Sequence, residues 1–136
     1  MPYSTYESEM RVRPDDIDMF NHAHSSKYMD YVMAARYDQM ERCYGMSMEM
    51  FFERGFGWLV RGVHMDFKRP LKMSDYFLVR TGIDTIDEKK CRVHFEILNK
   101  ATAKTCCDGW FDFVLIDMQT GKGTAIPKDV LEHYSL

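Results

Sequence analysis

No run of about 18 apolar residues occurs in this sequence, so it predicts no membrane-spanning helix. The first ten residues, MPYSTYESEM, have no basic start and no apolar stretch behind it, and no secretory signal is expected. Cysteine is scarce and scattered. Cys43, Cys91, Cys106 and Cys107 make no C-x-x-C pair, and the adjacent Cys106 and Cys107 point to opposite sides of a strand. Neither a disulfide scaffold nor a zinc site follows; reduced core thiols and a cytoplasmic location do. Basic residues are not in excess, with 18 Lys and Arg against 21 Asp and Glu. The resulting charge of −3 argues against nucleic acid or an anionic membrane as the main partner.

Several catalytic signatures are missing too. There is no G-x-S-x-G elbow for a serine hydrolase. Gly121-Lys122-Gly123-Thr124 lacks the frame of a phosphate loop and reads as a hairpin or loop. No helical H-x-x-x-H pair is present, and neither a metal nor an organic cofactor is expected. Cys106 or Cys107 with His94 or His133 imitates a thiol dyad, but buried strand thiols are the commoner outcome. Repeats, low-complexity tracts and linkers are absent, and 136 residues suit one domain, 1–136, with a sizeable core.

What is present reads as α+β. Residues 6–13 alternate, with Tyr6, Met10 and Val12 on one face. A helix is predicted from Ser25 or Ser26, either serving as N-cap, to about Tyr44, with Asp30 in its first turn and Gly45 as its stop. Lys27, Asp30, Asp38, Glu41 and Arg42 share one narrow sector of that helix. Most of the rest is apolar (Tyr28, Met29, Val32, Met33, Ala35, Met40, Cys43, Tyr44), so the helix should be covered on most sides. Arg36 falls among the apolar positions and calls for a carboxylate, which the acidic residues upstream can supply.

After a short helical piece at 48–54, four strand patterns follow at 58–69, 76–86, 91–99 and 105–116. The first has a bulge near Gly62 and is ended by Pro70. In the third, Cys91, Val93, Phe95 and Ile97 share a face. Pro127 opens a short closing helix at 128–134. Met46, Met48 and Met50 with Phe51, Phe52 and Phe56 suit an adaptable apolar pocket or plain packing equally. His64 is expected at a surface or interface.

The chemistry is crowded into DDIDMFNHAHSSKY, residues 15–28, with three carboxylates and two imidazoles between a strand and a helix. The residues alone allow a solvated turn, a metal site from Asp16, Asp18, His22 and His24, or a catalytic carboxylate beside a helix N-terminus. In the last reading, the first amides of the helix, near Ser25, lack intrahelical acceptors and can hold an oxyanion. Asp18, one short loop upstream, then acts as general base on water or as nucleophile.

Asp16-x-Asp18, His22-x-His24-Ser25-x-x-Tyr28, Tyr31 and Ala35-Arg36 resemble the D-x-D…G/H-x-x-N-x-x-Y…A-R signature of hotdog-fold thioesterases of the 4-hydroxybenzoyl-CoA thioesterase-like group. Downstream, Met65-Asp66-Phe67-Lys68-Arg69-Pro70 and Ser74-Asp75-Tyr76-Phe77-Leu78-Val79 resemble that group's V-x-Y-x-x-P…G-D-x-L-x-V. The resemblance implies a hotdog fold, a long central helix wrapped by an antiparallel sheet of about five strands. It implies an acyl-CoA thioesterase with Asp18 as the catalytic aspartate and the Ser25 amide polarising the thioester. His22 or His24 orients water or substrate, and Tyr28 belongs to the substrate site. Lys68-Arg69 and Lys89-Lys90 are the candidate cations for CoA phosphates, and a homodimer or homotetramer is implied. Departures from the signature are Asn21 at a common glycine, His24-Ser25 for the frequent Asn-Asn, and Ser74 where glycine usually precedes Asp75. A carrier-protein thioesterase, a hotdog dehydratase or hydratase, and a non-catalytic acyl-CoA-binding module are the alternatives.

Overall fold

The computed structural model describes residues 3–134. Strand β1 (Thr5–Arg11) leads through a 3-10 turn (Pro14–Asp16) to helix α1 (Ser25–Arg42) and a short α2 (Met48–Glu53). Strands β2 (Phe56–Phe67), β3 (Tyr76–Ile86), β4 (Cys91–Asn99) and β5 (Thr105–Asp117) follow, and α3 (Lys128–Tyr134) closes the chain. The five strands form one sheet in the order β1-β3-β4-β5-β2, with every pair antiparallel. The register slips between Val60 and Gly62, where a bulge is predicted, and again between Ile83 and Thr85, where the sequence carries no glycine or proline to announce it.

Alternation decides which face is covered. Phe77, Val79, Thr81 and Ile83 on β3, Cys91, Val93, Phe95 and Ile97 on β4, and Phe111, Phe113 and Leu115 on β5 are all buried. Side chains two apart share a face of a strand, so these residues make one continuous apolar layer. Helix α1 lies on that layer, with its closest backbone approach to β1 and β3. Its buried residues, Tyr28, Tyr31, Val32, Ala35, Arg36, Gln39 and Met40, recur at the three- and four-residue spacing of one helix face. Coverage is narrower than the sequence pattern predicts: Met29, Met33 and Cys43 are only half-buried, because α1 sits toward β1 and β3 and leaves its β2 flank open.

Three local expectations are corrected. Neither serine caps α1: the N-cap is His24, without a side-chain hydrogen bond, and Ser25 is already the first helical residue. Asp30 therefore falls beyond the first turn, which contains no acidic residue. Arg36 meets no carboxylate of the upstream join. Its Nη1 donates to Thr81 Oγ1 at 3.0 Å and to the Tyr44 hydroxyl at 3.4 Å. The reason is geometric, since the join lies at the start of α1, eleven residues and about 16 Å of helix away.

The helix stops at Arg42, and Gly45, at φ +71°, turns the chain in a conformation that favours glycine. Gly109 on β5 is required for a different reason, since a Cβ there would sit 1.8 Å from the His64 carbonyl oxygen. Of the methionine and phenylalanine group around α2, Met46 and Phe51 are buried packing, Met50 and Phe52 are exposed, and Met48 lines an internal chamber. His64 is exposed and stacks on Trp110, their rings 4.3 Å apart.

Candidate active site

The acidic join folds as a small clamped hairpin. Ile17 pairs with Ala23, the Asp18 amide donates to the His22 carbonyl at 2.9 Å, and the Asn21 amide donates to the Asp18 carbonyl at 3.1 Å. Asn21 closes this three-residue connection at φ +61°, the left-handed position that tight hairpins place after a turn. Asparagine tolerates that region, which explains why it can stand at a common glycine. Ser74, at φ +70°, occupies the other glycine-like position in the same conformation.

The hairpin is tied to the segment following β2. The Ala23 amide donates to the Leu71 carbonyl at 2.8 Å, and the Met73 amide to Asn21 Oδ1 at 3.1 Å. The Leu71 amide donates to the Tyr28 hydroxyl at 3.1 Å. These bonds fix the hairpin, the start of α1 and residues 71–73 as one unit.

Two aspartates two residues apart are treated oppositely. Asp16 is 3% exposed, and its Oδ2 accepts from the Tyr31 hydroxyl at 2.8 Å and the Arg13 amide at 3.0 Å. Its backbone carbonyl accepts from the His24 amide at 2.9 Å. Burial and the Asp16 hydrogen bond push the Tyr31 hydroxyl well above the ordinary tyrosine range. Asp18 is half-exposed, and its Oδ1 accepts from the amides of Phe20 at 2.8 Å and His22 at 3.1 Å. The His22 amide above all, opposed by partial desolvation and helped by the Phe20 amide, lowers the Asp18 carboxyl below its ordinary 3.8. Hydrogen bonds that favour the charged form have that effect. Its Oδ2 has no hydrogen-bond partner among the described residues.

Beside it begins α1. The amides of Ser25 and Ser26 find no acceptor among the described residues, as expected for the first turn of a helix. Asp18, His22, Ser25 and Tyr28 share an open cleft of ≈ 350 Å³ with Phe67, Lys68 and Arg69. Six of the predicted site residues are thus brought together. His24 is exposed at the N-cap position and does not line the cleft. Lys89 and Lys90 line a separate cleft with Arg61 and Glu88. Within the first cleft, Lys68 Nζ is paired with Asp108 at 2.8 Å, and Arg69 Nη1 donates to the Thr105 carbonyl at 2.9 Å.

Sequence reasoning offered Asp16 only as a candidate metal ligand and assigned no role to Asn21 or Phe67. The D-x-D repeat signals Asp16, but which of two neighbouring carboxylates is buried depends on Tyr31, a turn and a half into the helix. Phe67 reads as an ordinary strand residue, yet it stands exposed against Tyr28, ring centroids 5.4 Å apart, as the apolar wall of the cleft. Thiol nucleophiles are disfavoured, since burial pushes Cys91 and Cys107 each up to about 12.

A five-stranded antiparallel sheet that carries one long helix is the architecture of the hotdog-fold thioesterases. Comparison with known proteins reaches the same class. The sequence profile of the Thioesterase-like superfamily matches residues 12–133, and the chain belongs to that superfamily. Long-chain acyl-CoA thioesterase FadM of Escherichia coli is 21% identical over 126 residues, 93% of this chain and 94% of FadM. Among solved structures, a DHNA-CoA thioesterase from Staphylococcus aureus superposes with a TM-score of 0.88 at 20% identity, covering 98% of this chain and 89% of its own. Slr0204, a 1,4-dihydroxy-2-naphthoyl-CoA thioesterase from Synechocystis, gives 0.86 at 17% identity, covering 96% of each chain. Among the described residues no helix is long and apolar enough to cross a membrane.

Proposed function

We propose that the protein hydrolyses acyl-CoA thioesters at the cleft between Asp18 and the start of α1. The observation that carries this reading is the free Asp18 Oδ2 sharing one cleft with the unpartnered Ser25 amide. The thioester carbonyl oxygen accepts from the Ser25 amide, and the positive end of the helix dipole stabilises the oxyanion as it forms. Asp18 Oδ2 takes a proton from water as the C–O bond forms. Collapse of the tetrahedral intermediate breaks the C–S bond, and the proton passes to the departing thiolate, leaving a carboxylic acid and CoA thiol. In the variant with Asp18 as nucleophile, Oδ2 attacks the carbonyl carbon, the C–S bond breaks to release CoA thiolate, and water opens the resulting anhydride, regenerating Asp18, releasing the acid and supplying the thiolate's proton.

His22, in the cleft wall, orients water or substrate, and His24 contributes through its place at the head of the helix. The Tyr28 and Phe67 rings line the acyl entrance, and Lys68 and Arg69 at the mouth meet CoA phosphates. Lys89 and Lys90 serve the same purpose only if a second copy brings them near. Strand β2 favours such pairing: it is a sheet edge, twelve residues long, with Leu59, Val63 and Phe67 exposed along it. A homodimer through β2, alone or within a tetramer, follows from that edge. Four unpaired cysteines suit a reducing compartment such as the cytoplasm.

The test is thiol release from short, medium, long and aromatic acyl-CoAs by wild type and Asp18→Asn. Loss of turnover in a folded variant supports the mechanism. Turnover untouched by the substitution removes Asp18 from it. Binding without turnover on any substrate makes the protein an acyl-binding module. A single turnover in ¹⁸O-water separates the two roles of Asp18, because only the anhydride route can leave label on the aspartate.

A further inference from the structure

Helix α1 carries a second polar feature, eleven residues beyond Ser25. Arg36 is 5% exposed and lies in the wall of a narrow chamber with ≈ 20 Å³ of free space. Met33, Met40, Met48, Phe113, Trp58 and Tyr134 make up most of the remaining wall. A buried cation normally stands against an anion. Here the guanidinium meets two hydroxyls, on Thr81 and Tyr44, and lies over the Tyr44 ring at 5.1 Å. It reaches a carboxylate only indirectly: the Thr81 hydroxyl donates to Gln39 Oε1, Gln39 Nε2 to Ser8 Oγ, and Ser8 Oγ to Asp38.

Two further polar atoms of the chamber wall are buried without a hydrogen-bond partner, Trp58 Nε1 and the Tyr134 hydroxyl. Their rings stack at 6.1 Å and 19°. Tyr134 as a whole is 2% exposed. Buried polar groups in native proteins are rarely left unpaired, and here a cation and two potential donors converge on one place.

The chamber and the active-site cleft are both lined by α1 and β2. β2 has Phe67 beside Tyr28 at the cleft and Trp58 beside Met33 and Met40 at the chamber. Along these elements Met29 and Met33 of α1 and Met65 of β2 are half-buried and Val63 of β2 is exposed, all of them apolar. Methionines can shift to open a lane there.

We infer that this chamber reads the far end of the acyl group, favouring chains that end in a carboxylate over chains that end in a methyl. Arg36 supplies the charge and Trp58 Nε1 and Tyr134 the orienting hydrogen bonds. The inference rests on the thioesterase reading for the position of the thioester, but the chamber's affinity for a carboxylate does not depend on it.

The experiment uses straight-chain acyl-CoAs of graded length, each in a methyl-ended and a carboxyl-ended form, on wild type, Arg36→Lys, Trp58→Phe and Tyr134→Phe. At the best length, kcat/KM is expected to favour the carboxyl end by about tenfold, the worth of one charge-assisted hydrogen bond. Trp58→Phe and Tyr134→Phe, which remove the donor, should each lower that ratio severalfold, with kcat/KM for the carboxyl-ended substrate falling more than for the methyl-ended one. In parallel, thermal shift of wild type and Asp18→Asn with free long-chain dicarboxylic acid against the monocarboxylic acid needs no turnover. Diacid-specific stabilisation without hydrolysis of any CoA ester upholds the chamber and sinks the thioesterase reading. Brisk hydrolysis with equal rates for both ends, and equal shifts with both acids, overturns the inference and makes the chamber core packing around an internal water.

Discussion

The start of α1 and its middle handle polar groups in opposite ways. At its start, a carboxylate stands half-exposed with one oxygen bound by two amides and the other oxygen left to the cleft. Toward its middle, a guanidinium lies almost fully buried among methionines and aromatic rings, beside two polar atoms with no partner. The first arrangement keeps a charged group in its ionised state and within reach of water. The second withdraws a charge from water and compensates it only in part. Burial costs a charge most of its hydration, so the buried group must be answered by another, whereas the exposed one needs only to be held in place. On the proposed reading, the carboxylate before the helix acts and the guanidinium on it recognises.

The sharpest way to break this contrast is at Asp18. Asp18→Asn should lower thiol release by about 10³-fold, in the range general acid–base or nucleophilic groups contribute, with the melting temperature nearly unchanged. The pH profile sharpens it further. Because amide hydrogen bonds lower the Asp18 carboxyl below 3.8, the carboxylate stays ionised as pH falls through the ordinary aspartate range. The acid limb of kcat/KM should therefore appear below 3.8, and a limb at or above that value would contradict the amide-held geometry. The same sign governs stability: a depressed native value contributes above the unfolded pKa and is lost as pH falls through the native one.

Asp16 should behave in the reverse manner. Asp16→Ala strips the buried Tyr31 hydroxyl and Arg13 amide of their acceptor, and urea unfolding should show a loss of about 2–4 kcal/mol. If Asp16→Ala instead spared stability and Asp18→Asn cost it, the assignment of structural and acting aspartates would be exchanged. Tyr28→Phe ranks next: the Leu71 amide loses its buried acceptor, for a loss of about 1–3 kcal/mol by the same measurement. The smallest effect is expected at Lys68→Ala, where an exposed ammonium is already shared with Asp108. KM for acyl-CoA should rise about threefold with kcat unchanged, and the difference should shrink in high salt.

Much of this was legible from residue order. Alternation located the strands, and Pro70, Gly45 and the bulge near Gly62 were read from residue type alone. The join was readable because a D-x-D pair before a helix start is a local pattern. Its internal division was not. Asp16 is buried because Tyr31 returns over it from α1, and Asp18 is free because Asn21 folds the loop back, neither of which follows from spacing along the chain. Lys68-Arg69 and Lys89-Lys90 look equivalent in the sequence, yet only the first pair lines the cleft with Asp18. The expected carboxylate partner for Arg36 failed for the same reason, since nearness in a list of residues is not nearness along a helix.

The sequence by itself determined the elements, their faces and the chemical types available at the helix start, because periodicity and turn preference act over a few residues. Only the tertiary structure decided which charges are buried, which share a cleft and which partner each one meets. Those outcomes depend on the strand order β1-β3-β4-β5-β2, which brings together positions tens of residues apart and separates others that are near in the chain. Desolvation follows from that arrangement, and it makes one aspartate structural, leaves its neighbour free to react, and buries an arginine that ordinary solvation would have kept at the surface.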